Sequence, residues 1–151
     1  MLNVSLLTIG DEICIGQIVN TNAAWISDQL TKTGANTLIH STIRDDRGMM
    51  LTEMERLMGF SDVLIITGGL GPTHDDITKK TLLEYFDDHP VTHEPTLKYL
   101  EEFFAKRGYG LTERNRSQAE VPSKCIPLEN RVGTAPGMQF EKDGKYIFAL
   151  P

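Results

Sequence analysis

Hydrophobic positions along the chain fall into two rhythms: short continuous runs, and stretches that repeat every three or four residues. Asn3 to Ile9 is an apolar run closed by Gly10-Asp11-Glu12, which predicts a strand. Asn20-Thr21-Asn22 supplies caps for a helix through Leu30, with Ala23, Ile26 and Leu30 on one face and Gly34 as its stop. Thr37 to Ile43 predicts a second strand, followed by Arg44-Asp45-Asp46, and Met50, Met54 and Leu57 then recur at helical spacing. The β-branched run from Asp62 to Thr67 predicts a third strand, covered on both faces. A helix after Asp76 carries Ile77, Leu82, Tyr85 and Phe86 until His89-Pro90 breaks it. Glu94-Pro95 opens another, with Leu97, Leu100 and Phe104 inward and Gly108 at its end. Leu111 to Glu120 is polar and reads as a short helix or a loop. Met138 to Glu141 and Lys145 to Leu150 pair across Asp143-Gly144, a strong hairpin signal. Strands alternating with helices predict an α/β fold with a mainly parallel sheet between helix layers.

With 151 residues, 40% of them hydrophobic, the chain makes one domain, residues 1–151. A net charge of −6 leaves no basic face for nucleic acid or an anionic membrane. Cys14 and Cys125 form no Cys-x-x-Cys pair and have no His at ligand spacing, which fits a reduced, cytoplasmic protein. Met1-Leu2-Asn3-Val4 lacks a basic, cleavable leader, and no apolar run approaches membrane length. Tyr146 to Leu150 reads as a core strand that stops at Pro151 without a cap, so a domain truncated at its C-terminus is expected.

In a parallel sheet, ligand-binding groups collect at the carboxyl ends of the strands. There the third strand runs into Thr67-Gly68-Gly69-Leu70-Gly71-Pro72-Thr73-His74-Asp75-Asp76-Ile77-Thr78. The glycines let the backbone turn sharply and approach a ligand closely. The helix that follows offers unpaired N–H groups and the positive end of its dipole, which suit a phosphate. No Lys follows Gly71, so this is not a Walker loop, and His74 stands where a dinucleotide fingerprint needs its last glycine. A glycine-rich turn without a ligand is the plainer alternative; three glycines, a proline and two acids favour a site.

The turns after the first and second strands carry Asp11-Glu12 and Asp45-Asp46, so acids converge on an anion site. A divalent cation such as Mg²⁺ resolves that conflict, being held by one or two carboxylates plus phosphate oxygens. Asp75 and Asp76 either cap the following helix or hold that cation; Asp46 is as readily a cap as a functional acid. His74 can touch a ligand or donate a proton. Pro90 spoils the spacing of His89 and His93, which read as exposed turn residues. Trp25 is core or subunit interface, and Arg114 and Arg116 read as a solvated helix face rather than a phosphate clamp.

Ile9-Gly10-Asp11-Glu12, Gly16-Gln17-Ile18-Val19-Asn20-Thr21-Asn22, the long glycine block and Gly133-Thr134-Ala135-Pro136-Gly137 stand in one order. In these blocks the chain resembles the N-terminal domain of the CinA (competence/damage-inducible) proteins, within the molybdopterin-binding superfamily of MogA and MoeA/gephyrin-type enzymes. The resemblance implies a three-layer α/β sandwich and metal-dependent hydrolysis of ADP-ribose to AMP and ribose 5-phosphate. It implies a phosphate held by Thr67, Gly68, Gly69, Leu70, Gly71 and Thr73, with Asp45 and Asp76 catalytic. Asp11, Glu12, Asp75 and Asp76 are then the metal-ligand candidates, and Gly10, Asn20, Asn22, Thr134, Pro136 and Gly137 line the pocket. In the molybdopterin branch the equivalent pocket holds the pterin phosphate, so molybdenum-cofactor biosynthesis is the alternative function, though MogA-type loops more often have Thr at the Leu70 position. A non-catalytic binding or assembly module is a third reading. Relatives of this fold tend to form homo-oligomers. The family continues past the final Leu-Pro into a Gly-Val-Pro-type loop, and many members add a nicotinamide-mononucleotide amidase domain, whose activity is not carried over to this chain.

Overall fold

Strand β1 (Asn3–Ile9) lies inside a six-stranded sheet, and its alternation decides what covers each face. Val4 and Leu6 point to one side and Leu7 and Ile9 to the other, and all are buried. The computed structural model describes residues 1–71 and 77–151. β2 (Asn36–Ile43), β3 (Val63–Thr67) and β8 (Lys145–Leu150) join β1 as a parallel array in the order β2-β1-β3-β8. β7 (Gly137–Lys142) and β6 (Ile126–Leu128) extend it antiparallel beyond β8. A register shift at Val4/Ser5 lets Ser5 face Ile39, so the β1–β2 pairing carries a local irregularity near its start.

Helix α2 (Thr21–Lys32) covers one face, where Ala23, Ile26 and Leu30 meet Val4, Leu6, Val63 and Ile65. On the other face, α3 (Arg47–Met58) and α4 (Thr78–Tyr85) bring Met50, Met54, Leu57 and Leu82 against Leu7, Ile9, Leu64, Ile66 and Ile147. The expected sandwich of helix, sheet and helix is what the chain builds. β3 is buried on both faces along its whole length, as its unbroken Val-Leu-Ile-Ile-Thr run requires. Asp143 and Gly144 both adopt positive φ (54° and 73°), the two-residue turn whose twist matches the β7–β8 hairpin.

One region departs from expectation. Pro90–Thr92 does more than end a helix: it forms a short strand, β4, paired antiparallel with β5 (Glu120–Pro122) in a separate two-stranded sheet. α5 (Glu94–Ala105) starts from this ribbon, and the polar segment after it holds α6 (Glu113–Arg116) and a 3₁₀ turn, Ser117–Ala119. β4 is exposed throughout and β5 is three residues long, so neither carries the alternation that would have revealed it. α1 (Asp11–Cys14) is a single turn directly after β1. Among the described residues, no helix is long and apolar enough to cross a membrane.

Candidate functional site

The carboxyl ends of β2, β1, β3 and β8 stand side by side, and the turns leaving them carry most of the sequence-derived candidates. Gly68 follows β3 with φ +94, and Gly69 with φ +68, both in the left-handed region that only glycine enters freely. A Cβ on Gly68 would stand 2.2 Å from the backbone oxygen of Ile9, and one on Gly69 2.2 Å from Thr78 Oγ1. The turn is therefore wedged between the end of β1 and the start of α4. Thr78 Oγ1 donates to the Gly68 carbonyl at 3.0 Å, tying the helix back onto the turn. Leu70 is half-buried against the large core, and Gly71 is exposed. Thr73, His74, Asp75 and Asp76, with the expectations placed on them, lie outside the described residues.

Thr67 is buried, and its hydroxyl donates to Thr8 Oγ1 at 3.3 Å. Asn20 Nδ2 donates to that same oxygen at 2.8 Å, while Asn20 Oδ1 accepts from the Ala23 N–H and caps α2. Thr67, Thr8 and Asn20 thus link the glycine turn to the start of α2, where Asn22 is exposed. Thr8 carried no signal in the sequence beyond a polar residue inside an apolar strand.

The acids after β1 and β2 come together. The Asp11 N–H donates to Asp45 Oδ2 at 3.0 Å, and the Asp45 N–H donates to Asp11 Oδ1 at 3.3 Å. This reciprocal clasp leaves one oxygen of each carboxylate for another partner. Glu12 folds back so that its carboxylate would lie 2.9 Å from a Cβ placed on Gly10. Asp46 instead caps α3, accepting from the Met49 N–H at 2.7 Å. Among the described residues no group of three or more His, Cys, Asp or Glu side chains is placed to hold a metal. Burial pushes the Cys125 thiol up to about 11, so it stays protonated and makes a poor ligand.

Thr134 and Pro136 line a cavity of about 270 Å³ beside α5, bounded also by His93, Tyr99, Leu128 and Asn130. His93 was expected in an exposed turn; it is half-buried, because the β4–β5 ribbon fixes the entry to α5 and His93 Nδ1 pairs with Thr96 Oγ1 at 2.8 Å. Gly137 borders a groove that also contains Leu150 and Pro151. Asn130 ties the loop before β7: its Oδ1 accepts from the Val132 N–H and its Nδ2 donates to the Ala135 carbonyl at 2.8 Å. Trp25 is 65% exposed, which removes it from the core. Arg116 faces Glu101 at 3.8 Å across the surface.

A family model described as “Probable molybdopterin binding domain” matches residues 5–151. A CinA-like protein of Flavobacterium psychrophilum is 44% identical over 154 residues, covering 99% of this chain and 36% of that protein. The chain therefore spans little more than a third of that relative's length. Among solved structures, the protein CinA of Thermoplasma acidophilum superposes with a TM-score of 0.87 at 35% identity, covering 99% of this chain and 87% of that one. The molybdopterin biosynthesis enzyme MoaB of Thermus thermophilus shares the fold, with a TM-score of 0.66 at 19% identity over 100% of this chain and 81% of its own. Matched by the domain family along nearly its whole length and by CinA-like relatives throughout, the chain belongs to the molybdopterin-binding domain family and, within it, to the CinA-like proteins.

Proposed function

We propose that this domain binds a phosphate-bearing ligand at the carboxyl edge of its parallel sheet and hydrolyses a nucleoside-diphosphate sugar of the ADP-ribose type with a divalent cation. The observation that carries this reading is the Asp11–Asp45 clasp on the strand next to the Gly68-Gly69 turn. Backbone N–H groups of the glycine turn bind the pyrophosphate, in the conformation that the wedge between β1 and α4 imposes on the turn. The carboxylates fit a hard cation, since each keeps an oxygen outside the clasp and Mg²⁺ needs only one or two carboxylates beside phosphate oxygens. Asp11, with Glu12, Asp75 and Asp76, would hold it. A bound cation would neutralise charge on the pyrophosphate and acidify a water there. Asp45 would orient a water toward one phosphorus; as the water oxygen bonds there, the bridging P–O bond breaks and the bridging oxygen leaves with the other phosphate, giving AMP and ribose 5-phosphate.

The test is a thermal-shift and product-release series with ADP-ribose in chelator, Mg²⁺ and Mn²⁺. Binding should be weak in chelator and strengthen sharply with metal, as linkage through a shared cation requires. Tight binding in chelator overturns the carboxylate–metal part of the reading.

A second reading, a pterin-binding domain of molybdenum-cofactor biosynthesis, is supported by the domain family's description and by the fold shared with MoaB. Tight molybdopterin binding with no response to ADP-ribose would put it first.

A further inference from the structure

Most arginines of this chain are used within the fold. Arg47 pairs with Glu84, Arg56 with Glu53, Arg116 with Glu101 and Arg131 with Glu129, while Arg107 lies over the Phe103 ring and Arg114 also has a partner. Arg44 differs. Among the described residues, its exposed side chain makes no hydrogen bond, ion pair or ring contact.

Its place in the fold makes that informative. Arg44 directly follows β2 and precedes Asp45 and Asp46 at the carboxyl edge of the sheet. Both neighbouring carboxylates are committed elsewhere: Asp45 Oδ2 accepts from the Asp11 N–H, and Asp46 Oδ1 caps α3 through the Met49 N–H. The backbone on either side is fixed as well. The Ile43 carbonyl accepts from the Gly10 N–H at 3.1 Å, and the Arg44 carbonyl from the Asp46 N–H at 2.7 Å. A guanidinium beside acids that serve other donors keeps its N–H groups for an anion from outside the chain.

The sheet order narrows the choice of anion. β1 lies between β2 and β3, so Arg44 and the glycine turn stand on opposite sides of the β1 end, with the strand ends about 10 Å apart. A single phosphoryl group held in the turn does not cross that gap. A second one, joined to the first and lying over β1, approaches Arg44.

Resting on the phosphate site proposed above, we propose that Arg44 is a specificity-determining residue. It binds the second phosphoryl group of a diphosphate ester whose first group the glycine turn holds, and so selects diphosphates over monophosphates. The planar guanidinium offers two parallel N–H donors to phosphate oxygens, and a ligand with one phosphoryl group gains nothing from them.

The experiment titrates the 151-residue chain and Arg44→Gln, in Mg²⁺, with AMP and with α,β-methylene-ADP. The two nucleotides differ by one phosphoryl group, and the carbon bridge of the second resists hydrolysis. Arg44→Gln should weaken α,β-methylene-ADP about tenfold or more, the scale of one charge-assisted pair, and leave AMP binding unchanged. Arg44→Lys, which keeps the charge but not the fork, should recover part of that loss. Both variants should melt with the parent, because the side chain is exposed and without a partner in the fold. Equal weakening of the two nucleotides would make Arg44 a general attractor of anions and overturn the proposal, as would no weakening of either. Those results leave the phosphate site standing, since the parent still binds AMP. A parent that binds neither nucleotide in Mg²⁺ would instead sink the phosphate site, and this inference with it.

Discussion

Replacing Gly68 by alanine tests the wedge that shapes the site. Alanine at φ +94 costs about 1–2 kcal/mol in backbone conformation alone. Its Cβ would also stand 2.2 Å from the Ile9 oxygen, more than an ångström inside ordinary contact, and that oxygen is backbone of a strand paired on both sides. Relief requires parting the ends of β1 and β3, and overpacking of this kind adds about 1–3 kcal/mol. The total is about 2–5 kcal/mol. Gly144→Ala is the control, with φ +73 but nothing within 4 Å of the new Cβ, so it carries the conformational cost without the clash. Urea unfolding followed by far-ultraviolet circular dichroism should place Gly68→Ala well below Gly144→Ala. Losses equal to within about 0.5 kcal/mol would refute the wedge, since that is the scatter of unrelated surface changes. Gly69→Ala adds a discriminating case, because its obstacle is Thr78 Oγ1, a side-chain atom. Adding Thr78→Ala to Gly69→Ala should recover part of its loss, a non-additivity that an open turn would not show.

Asp45→Asn keeps an oxygen for the Asp11 N–H, so its melting temperature should stay near the parent's while metal-dependent release of AMP from ADP-ribose falls about a hundredfold or more; undiminished turnover removes Asp45 from the chemistry. Asp88 is a structural counterpart. Burial pushes its carboxyl up, but hydrogen bonds from Ser123 Oγ and from the Lys124 and His89 N–H groups hold it below the ordinary range. A depressed folded pKa stabilises above the unfolded value and is lost as pH falls through the folded one, so Asp88→Asn should cost about 1–3 kcal/mol near neutrality. Denaturation midpoints should converge with the parent's below about pH 4, and a pH-independent gap would refute the charge argument. If copies of the chain assemble through Ile15, Ile18, Val19 and Trp25, exposed along one stretch, light scattering should exceed 16.9 kDa and iodide should fail to quench Trp25. A quenchable 16.9 kDa species at micromolar concentration counts against it.

Much of this molecule is local in origin and therefore legible in the chain. Continuous apolar runs name β1 and β3 because a strand buried on both faces needs no alternation. Asn20 and Asp46 announce α2 and α3 because a cap acts within three residues of itself. Asp143-Gly144 fixes the β7–β8 turn through backbone sterics alone. Gly68 and Gly69 mark the candidate site for the same reason: a glycine pair after a buried strand is a conformational statement that the sequence makes openly. Distance between acids is another matter. Asp11 and Asp45 are 34 positions apart, and only the parallel pairing of β1 with β2 sets their turns within hydrogen-bonding reach. The β4–β5 ribbon is not legible locally because its short strands take their shape from each other rather than from their own residues. His93 read as an exposed turn residue, and Tyr99 and Asn130 carried no signal, until tertiary packing arranged them around a cavity. Propensity and periodicity act over a turn or two of chain, whereas a pocket is the space that several distant segments leave between them, and only the packed fold specifies that space.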